Sequence, residues 1–203
     1  MKVLVVYYSM YGNMFKLAKE VARGSESVKG AEVRLRKVTE LVPQSVIDAN
    51  PALKAASDAQ KDVPIATNDD LVWADGIVWG SPTRYGNMAA QMKNFIDQTG
   101  KLWAEGALIG KPAGFFTGSA TPHGGQETTL ITMMIPMLHQ GMVLVGVPYS
   151  VPEISAPVVG GGSPYGASAM VGQQNQIGVT ENDLKVGFFL GVRVAEIAGK
   201  LRG

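Results

Sequence analysis

The chain opens on Val3-Leu4-Val5-Val6-Tyr7-Tyr8, runs through Ser9-Met10-Tyr11-Gly12, and changes character at Asn13-Met14. The first six residues are β-branched, aliphatic or aromatic without a break. Such a run suits a strand buried on both faces of a parallel sheet. Polar and small turn residues follow, and no small-residue cleavage site appears, so a buried strand is expected here rather than a secretory signal. From Asn13 to Arg23 the period becomes helical. Met14, Leu17, Ala18, Val21 and Ala22 share one face, and Lys16, Lys19, Glu20 and Arg23 lie mostly on the other. Gly24 is expected to end this helix.

The same alternation continues outward. Ala31 to Val38 alternates as a half-covered strand near a sheet edge. Pro43, Pro51 and Pro64 break residues 41–66, leaving room for a short helix between Asp48 and Asp62. A helical turn at Thr67–Leu71 leads into a third strand, Asp75 to Gly80. A helix is predicted from Asn87 to Thr99 with Met88, Met92, Phe95 and Ile96 inward. Pro112–Thr117 reads as a fourth strand, and Glu127–Gln140 as a helix that Pro136 kinks or shortens. Met142–Val147 reads as a fifth strand. Residues 148–179, rich in Gly, Pro, Ser and Gln, form a long loop of the kind that is functional or disordered. Thr180 and Asp183 have capping-box spacing for a last helix, with Leu184, Phe188, Ala195 and Ala198 at helical intervals. Five strands separated by helices predict an α/β, doubly wound parallel sheet in the order 2-1-3-4-5. Helices cover both faces, in one domain over residues 1–203.

Composition narrows the function. The 203 residues include no cysteine, which removes disulfides, thiolate metal sites and thiol catalysis. With 18 basic and 17 acidic residues, no broad field favours nucleic acid or anionic lipid. No apolar run approaches the ~20 residues of a membrane span, so no membrane insertion is expected. The default compartment is the cytoplasm. His123 and His139 are 16 residues apart with no acidic cluster beside them, so no metal is expected.

In such a sheet ligands bind beyond the carboxyl ends of the strands. Three loops therefore matter. Ser9 to Met14 joins a hydroxyl, the flexible backbone of Gly12 and the free amides of a helix start into a phosphate nest. Neither GxGxxG nor GxxxxGK[ST] is present, so the dinucleotide fingerprint and the P-loop both fail. A monoester phosphate held without lysine or magnesium suits a flavin mononucleotide. After the third strand, Pro82 stiffens the exit, and Thr83 and Asn87 can hydrogen-bond a heterocycle. Tyr85 offers a ring, and Arg84 places positive charge near a flavin that becomes anionic when reduced. After the fourth strand, Gly118-Ser119-Ala120-Thr121-Pro122-His123-Gly124 is small and polar enough for a flat ring to approach its backbone.

Several stretches then occur in order: Ser9-Met10-Tyr11-Gly12-Asn13, Pro82-Thr83-Arg84-Tyr85-Gly86-Asn87-Met88, Asp97-Gln98-Thr99-Gly100, Leu102-Trp103, Gly124-Gly125-Gln126-Glu127, Gly141-Met142 and Gly162-Ser163-Pro164-Tyr165-Gly166-Ala167. Together, from residue 2 to the C-terminus, they resemble the tryptophan-repressor-binding-protein family of flavodoxin-like, type IV NAD(P)H:quinone oxidoreductases. The resemblance implies FMN-dependent two-electron reduction of quinones to quinols, with NADH or NADPH as donor, ping-pong kinetics and no obligate catalytic side chain. It also implies a homo-oligomer, a tetramer in equilibrium with a dimer. It places FMN contacts at Ser9, Met10, Tyr11, Gly12, Asn13 and Met14, at Pro82, Thr83, Arg84, Tyr85, Gly86 and Asn87, and across Gly118 to Gly124. A tyrosine matching Tyr11 meets the nicotinamide nucleotide, and a tryptophan matching Trp103 lines the quinone cleft.

This chain departs from the family at His139-Gln140. There the family often has two histidines, the second approaching the flavin. Gln140 can donate a hydrogen bond but cannot carry a proton, and His139 is expected either at the flavin or buried on its own helix. Gln140, His139, His123 and water all remain candidates for protonating the quinol. Two other readings of the same scaffold are a flavodoxin-type electron carrier and an azo- or nitro-reductase. The carrier reading fits poorly with a near-neutral charge, Arg84 beside the flavin edge and the long 148–179 loop.

Overall fold

Leu4 and Val6 of the first strand, β1 (Lys2–Tyr7), point to one side of the sheet, and Val3, Val5 and Tyr7 to the other. Both sets are fully buried, which is why the sequence there has no polar alternation. The computed structural model describes residues 1–158 and 160–202, and Val159 and Gly203 lie outside the described residues. After β1 come α1 (Asn13–Glu26), β2 (Glu32–Lys37), α2 (Gln44–Ala49), α3 (Pro51–Asp58) and α4 (Asn68–Trp73). Then follow β3 (Gly76–Arg84), β4 (Asn87–Met88), α5 (Ala90–Asp97), α6 (Gly100–Ala104) and β5 (Pro112–Ser119). The chain ends with α7 (Gln126–His139), β6 (Val143–Leu144), a 3-10 turn at Pro152–Ser155, β7 (Ala167–Met170) and α8 (Glu181–Leu201).

The sheet has seven strands rather than the five expected. Its main path is β2-β1-β3-β5-β6, with β4 antiparallel on β3 and β7 parallel on β5. If the short β4 is set aside, the parallel order corresponds to the predicted 2-1-3-4-5, but the fifth position is shared. β6 pairs with Pro112 and Ala113 at the start of β5, and β7 pairs with Phe116 to Ser119 at its end. Between them the chain leaves the sheet. Val145 still donates to the Ala113 carbonyl (2.8 Å), but Val147 donates to Pro164 instead (3.1 Å). Pro148, without an N–H, cannot extend the ladder. A side chain at Gly146 would stand 2.1 Å from the Pro164 carbonyl, so outgoing and returning segments lie backbone to backbone.

β3 is also longer than expected. It runs past Gly80 to Arg84 and folds back through a two-residue turn in which Tyr85 (φ 54°) and Gly86 (φ 78°) are both left-handed. Two positive φ values match the twist of a tight hairpin. Thr83 therefore faces Met88 and Arg84 faces Asn87, and the following helix starts at Ala90 rather than Asn87.

α4, α5 and α7 cover one face through Leu71, Met92, Phe95, Leu130 and Met133. α1 and α8 cover the other through Leu17, Val21, Leu190 and Val194. Gly24 does not end α1 but lies inside it, at the crossing with α8. A Cβ there would meet the Phe188 carbonyl at 2.0 Å, and one at Gly191 would meet the Val21 carbonyl at 2.0 Å. Ser25 lies in the same crossing and donates to the carbonyls of Val21 (3.0 Å) and Gly191 (3.1 Å). The Thr180–Asp183 capping box forms as expected. The buried stripe of α8 is Val186, Leu190, Val194, Ala195 and Ala198, whereas Leu184 and Phe188 are only partly covered.

The edge strand β2 is fastened by charge. Asp70 closes a capping box with Thr67 and accepts from Arg34 (3.1 Å) and Arg36 (3.2 Å). Arg34 also stacks 3.9 Å over Trp73. Burial alone would raise the Asp70 carboxyl, but the Thr67 amide and the two guanidiniums outweigh it and hold it below its ordinary 3.8. A depressed folded-state pKa stabilises the fold fully above the unfolded value and is lost as pH falls through the folded one. Asp70→Asn is therefore expected to cost about 1–3 kcal/mol at pH 7. The gap to the parent should narrow in melts taken below roughly pH 4, the ordinary carboxyl range. A gap that is the same at pH 7 and pH 3 would contradict this account.

Candidate cofactor site

The carboxyl ends of β1, β3 and β5 are neighbours in the sheet, and the register sets Pro82 beside Gly118. The three loops singled out in the sequence thus open at one edge.

The first loop turns through Gly12, left-handed at φ 83° and ψ −12°, into a 14-residue helix with no acidic residue in its first turn. Its amides and the positive end of the helix dipole are free for an anion. Beside them, the Ser9 hydroxyl is buried with no partner among the described residues. Asn13, 9% exposed, donates from Nδ2 to Asn175 Oδ1 (2.9 Å), and its own Oδ1 is buried without a donor. Gln60 holds the loop from below, donating to the Ser9 carbonyl (3.2 Å). Buried polar atoms are normally paired, so these two orphans beside a helix start leave a donor and an acceptor open to an additional group.

The hairpin and the third loop are locked together. Thr129, fully buried on α7, donates to Thr83 Oγ1 (2.8 Å), which also accepts from the Gly86 amide (3.2 Å). Thr132 donates to the Gly86 carbonyl (3.3 Å). Ser119 donates to the Thr121 carbonyl (2.7 Å) and accepts from Gln126 (2.8 Å), whose amide oxygen accepts from Ser168 on β7. Gly118 is small for a reason: a Cβ there would stand 2.5 Å from the Met14 methyl and 3.3 Å from the Ala169 carbonyl. Arg84 lies across the mouth, donating to the Thr83 carbonyl (2.9 Å) and reaching the Met10 sulfur (3.4 Å). Tyr85, Asn87, Ala120, Pro122, His123 and Tyr11 are exposed around this opening, and Thr121 and Gly124 half-buried. Behind it, Tyr8 donates to Glu40 (3.0 Å) and accepts from Gln91 (2.9 Å). Burial, reinforced by the Glu40 charge, pushes the Tyr8 hydroxyl well above its ordinary range, so it stays neutral.

Three predicted site residues lie elsewhere. Trp103 is on helix α6 and is 60% exposed. His139 is exposed rather than buried on its helix. With Gln140 they line a groove of about 480 Å³ between α5–α6 and α7. Gln140 is buried, donates to Thr99 (2.8 Å) and leaves its Oε1 unpaired. His139 ends α7 and Gln126 begins it. At 1.5 Å per residue the two ends stand about 20 Å apart. His139 and Gln140 are therefore remote from the third loop of their own chain, although the hairpin residue Asn87 borders the same groove.

Sequence reading did not pick out Thr129, Gln126 or Asn175 as site residues. Gln126 belongs to the Gly124-Gly125-Gln126-Glu127 stretch. Thr129 and Asn175 acquire meaning only from partners 46 and 162 residues away. Among the described residues, no group of three or more His, Asp or Glu side chains could hold a metal ion. No helix among them is long and apolar enough to cross a membrane.

Residues 1–156 match the NADPH-dependent FMN reductase family. A protein from Aromatoleum aromaticum named NAD(P)H dehydrogenase (quinone) is 48% identical over 99% of this chain and 97% of its own. A protein of the same name from Geobacter sulfurreducens is 48% identical over the whole of both chains. Among solved structures, a WrbA-like flavodoxin from Agrobacterium tumefaciens superposes with a TM-score of 0.66 at 25% identity, covering 98% of each chain. An archaeal flavodoxin superposes at 0.60 with 23% identity over the whole of both chains, a likeness of fold.

Proposed function

This chain belongs to the flavodoxin-like, FMN-dependent NAD(P)H dehydrogenases (quinone), and from that premise we propose how its residues serve the transfer of two electrons from NAD(P)H to a quinone. FMN, when bound, supplies the redox chemistry, accepting a hydride from the nicotinamide and giving the electron pair to the quinone. The protein supplies binding, orientation and charge.

One observation carries the assignment of the phosphate end: the buried, unpartnered Ser9 hydroxyl beside left-handed Gly12 and the free amides at the start of α1. Ser9, the amides from Gly12 to Met14 and the helix dipole hold the phosphate. Thr83, Arg84, Tyr85 and Asn87 of the hairpin, with Pro82 and Gly86 shaping it, receive one edge of the ring system. Gly118 to Gly124 receives the other, with Gly118 letting Met14 and the Ala169 backbone pack close behind the loop. Arg84 offsets negative charge that accumulates there on reduction. Thr129 and Gln126 keep hairpin and loop at a fixed separation. Tyr11, exposed beside the mouth, meets the nicotinamide nucleotide.

Trp103, His139 and Gln140 serve the site of another copy of the chain. His139 and Gln140 stand about 20 Å along α7 from the third loop, Trp103 lies across the groove from them on α6, and the surface around all three carries large exposed apolar side chains. Ile109, Ile135, Leu138 and Trp103 are all more than half exposed. An exposed apolar patch of this kind marks an interaction surface. A homo-oligomer, dimer or tetramer, would bury it and complete the quinone cleft with Trp103. Trp103→Ala is then expected to raise the quinone KM about tenfold, the size of losing one aromatic contact. Its affinity for FMN should stay unchanged. Sedimentation showing only monomer in a fully active sample would remove the shared-cleft reading. The function itself is tested by initial rates with NADH and benzoquinone. Parallel double-reciprocal lines are expected for one cleft used in turn by two substrates, and intersecting lines would contradict it.

A further inference from the structure

Loop 171–178 connects β7 to α8 and reaches back to the first turn of α1. It is anchored where it leaves the sheet, because the Val171 amide donates to the Ser119 carbonyl (2.9 Å) and the amides of Ile177 and Gly178 donate to the Val171 carbonyl (both 3.1 Å). At its tip Asn175 is left-handed (φ 58°), a conformation asparagine tolerates and most residues do not. Its side chain meets Asn13, with Asn13 Nδ2 donating to Asn175 Oδ1 (2.9 Å).

This pairing leaves the Asn13 carbonyl oxygen buried with no donor. A carboxamide has its oxygen and nitrogen on one planar group of nearly equal size, so turning it over exchanges donor for acceptor in place. If both amides turn, Asn175 Nδ2 donates to Asn13 Oδ1, and Asn13 Nδ2 occupies the position where the orphan oxygen now stands. That second arrangement pairs the buried carbonyl and puts an N–H in its place, on the first residue of α1. An acceptor there satisfies it, and a phosphomonoester oxygen is such an acceptor.

We propose that Asn175 is a cofactor-binding determinant that acts through Asn13: when a phosphomonoester occupies the first loop, the Asn13–Asn175 pair turns over, so that Asn175 donates to Asn13 and Asn13 donates to the phosphate. The inference rests on reading Ser9 to Met14 as the phosphate nest. Asn175 is then a positioning residue, since it fixes which end of the Asn13 amide faces the ligand.

The test is binding of FMN and of riboflavin, which lacks the phosphate, to the full chain, read by quenching of flavin fluorescence. Asn175→Asp can only accept, so it holds the Asn13 N–H away from the nest. It is expected to weaken FMN by about 30-fold or more, the scale of a lost hydrogen bond to a charged group plus a like charge nearby. Riboflavin affinity should not change. Asn175→Gly keeps the left-handed backbone and removes the amide, and should weaken FMN about 3- to 10-fold, again without touching riboflavin. It also guards against a folding defect in the first variant. FMN affinity within twofold of the parent in both variants, or equal loss of FMN and riboflavin, would overturn the role of Asn175. A parent chain that binds FMN no better than riboflavin would instead overturn the phosphate nest, and this inference with it.

Discussion

Gly12→Val is expected to weaken FMN binding about 100-fold, close to 3 kcal/mol, while the melting temperature of the cofactor-free chain changes little. The reason is backbone geometry rather than space. A Cβ at Gly12 would find its nearest neighbour, Ala56 Cβ, at an ordinary 3.8 Å. The φ of 83° is the difficulty, because a left-handed L-residue costs roughly 1–2 kcal/mol and a β-branched one more. The loop relieves that strain by rotating, and rotation turns the amides from Gly12 to Met14 away from the nest. Gly12→Ala should fall between parent and valine variant. The measurement is a fluorescence titration with FMN, with thermal melts alongside. An affinity for FMN within threefold of the parent would mean that the left-handed turn does not shape the site.

The second large effect concerns the fold. Gly191→Ala places a methyl group 2.0 Å from the Val21 carbonyl and 2.9 Å from the Ser25 amide, both backbone atoms that cannot swing aside. Alanine gains about 1 kcal/mol in helix propensity over glycine. Overpacking a tight contact costs typically 1–3 kcal/mol, and more where backbone must move. Here two helices must separate by about an ångström against a hydroxyl, that of Ser25, bonded to both. Overpacking wins, and a net loss of about 2 kcal/mol or more is expected, lowering the melting temperature by roughly 4–8 °C for a chain of this size. Gly100→Ala is the control. It is helical, has no atom within 4 Å of the added methyl and should be neutral or slightly stabilising. A stabilised Gly191→Ala would show that α1 and α8 are not in backbone contact.

The two glycines on the α1–α8 crossing show where sequence reading ends. Local pattern places Leu17, Val21 and the rest of the α1 stripe correctly, because amphipathic spacing is a property of one helix. Whether Gly24 stops a helix or lets another helix approach depends on α8, more than 160 positions later, and no local signal distinguishes the two. The same holds for the fifth strand. Met142–Val147 carries a strand's composition, yet only two of its residues join the sheet as strand, because a returning segment at residues 164–170 takes the rest of the edge. The hairpin was present in the letters as Tyr85-Gly86. A tyrosine in a left-handed turn position is uncommon enough that the stretch reads more naturally as a loop.

The candidate site divides along the same line. Each of the three loops follows directly from a strand with a clear apolar signature, so position and polarity are enough to single out Ser9 to Met14, Pro82 to Asn87 and Gly118 to Gly124 as candidates. Residues that brace those loops were not. Thr129 looks like an ordinary helix residue until its hydroxyl is seen on Thr83, and Asn175 looks like a loop asparagine until it is seen on Asn13. Trp103 and His139 were placed through the family resemblance, which does not say whether a contact is made within one chain or between two.

The most direct test of the central claim is an anaerobic absorbance spectrum of the purified chain loaded with FMN, recorded after one equivalent of NADH and again after benzoquinone. The visible flavin bands should bleach with the nucleotide and return in full with the quinone. A chain that binds FMN but is bleached by neither NADH nor NADPH would contradict the assignment of both half-reactions to this site.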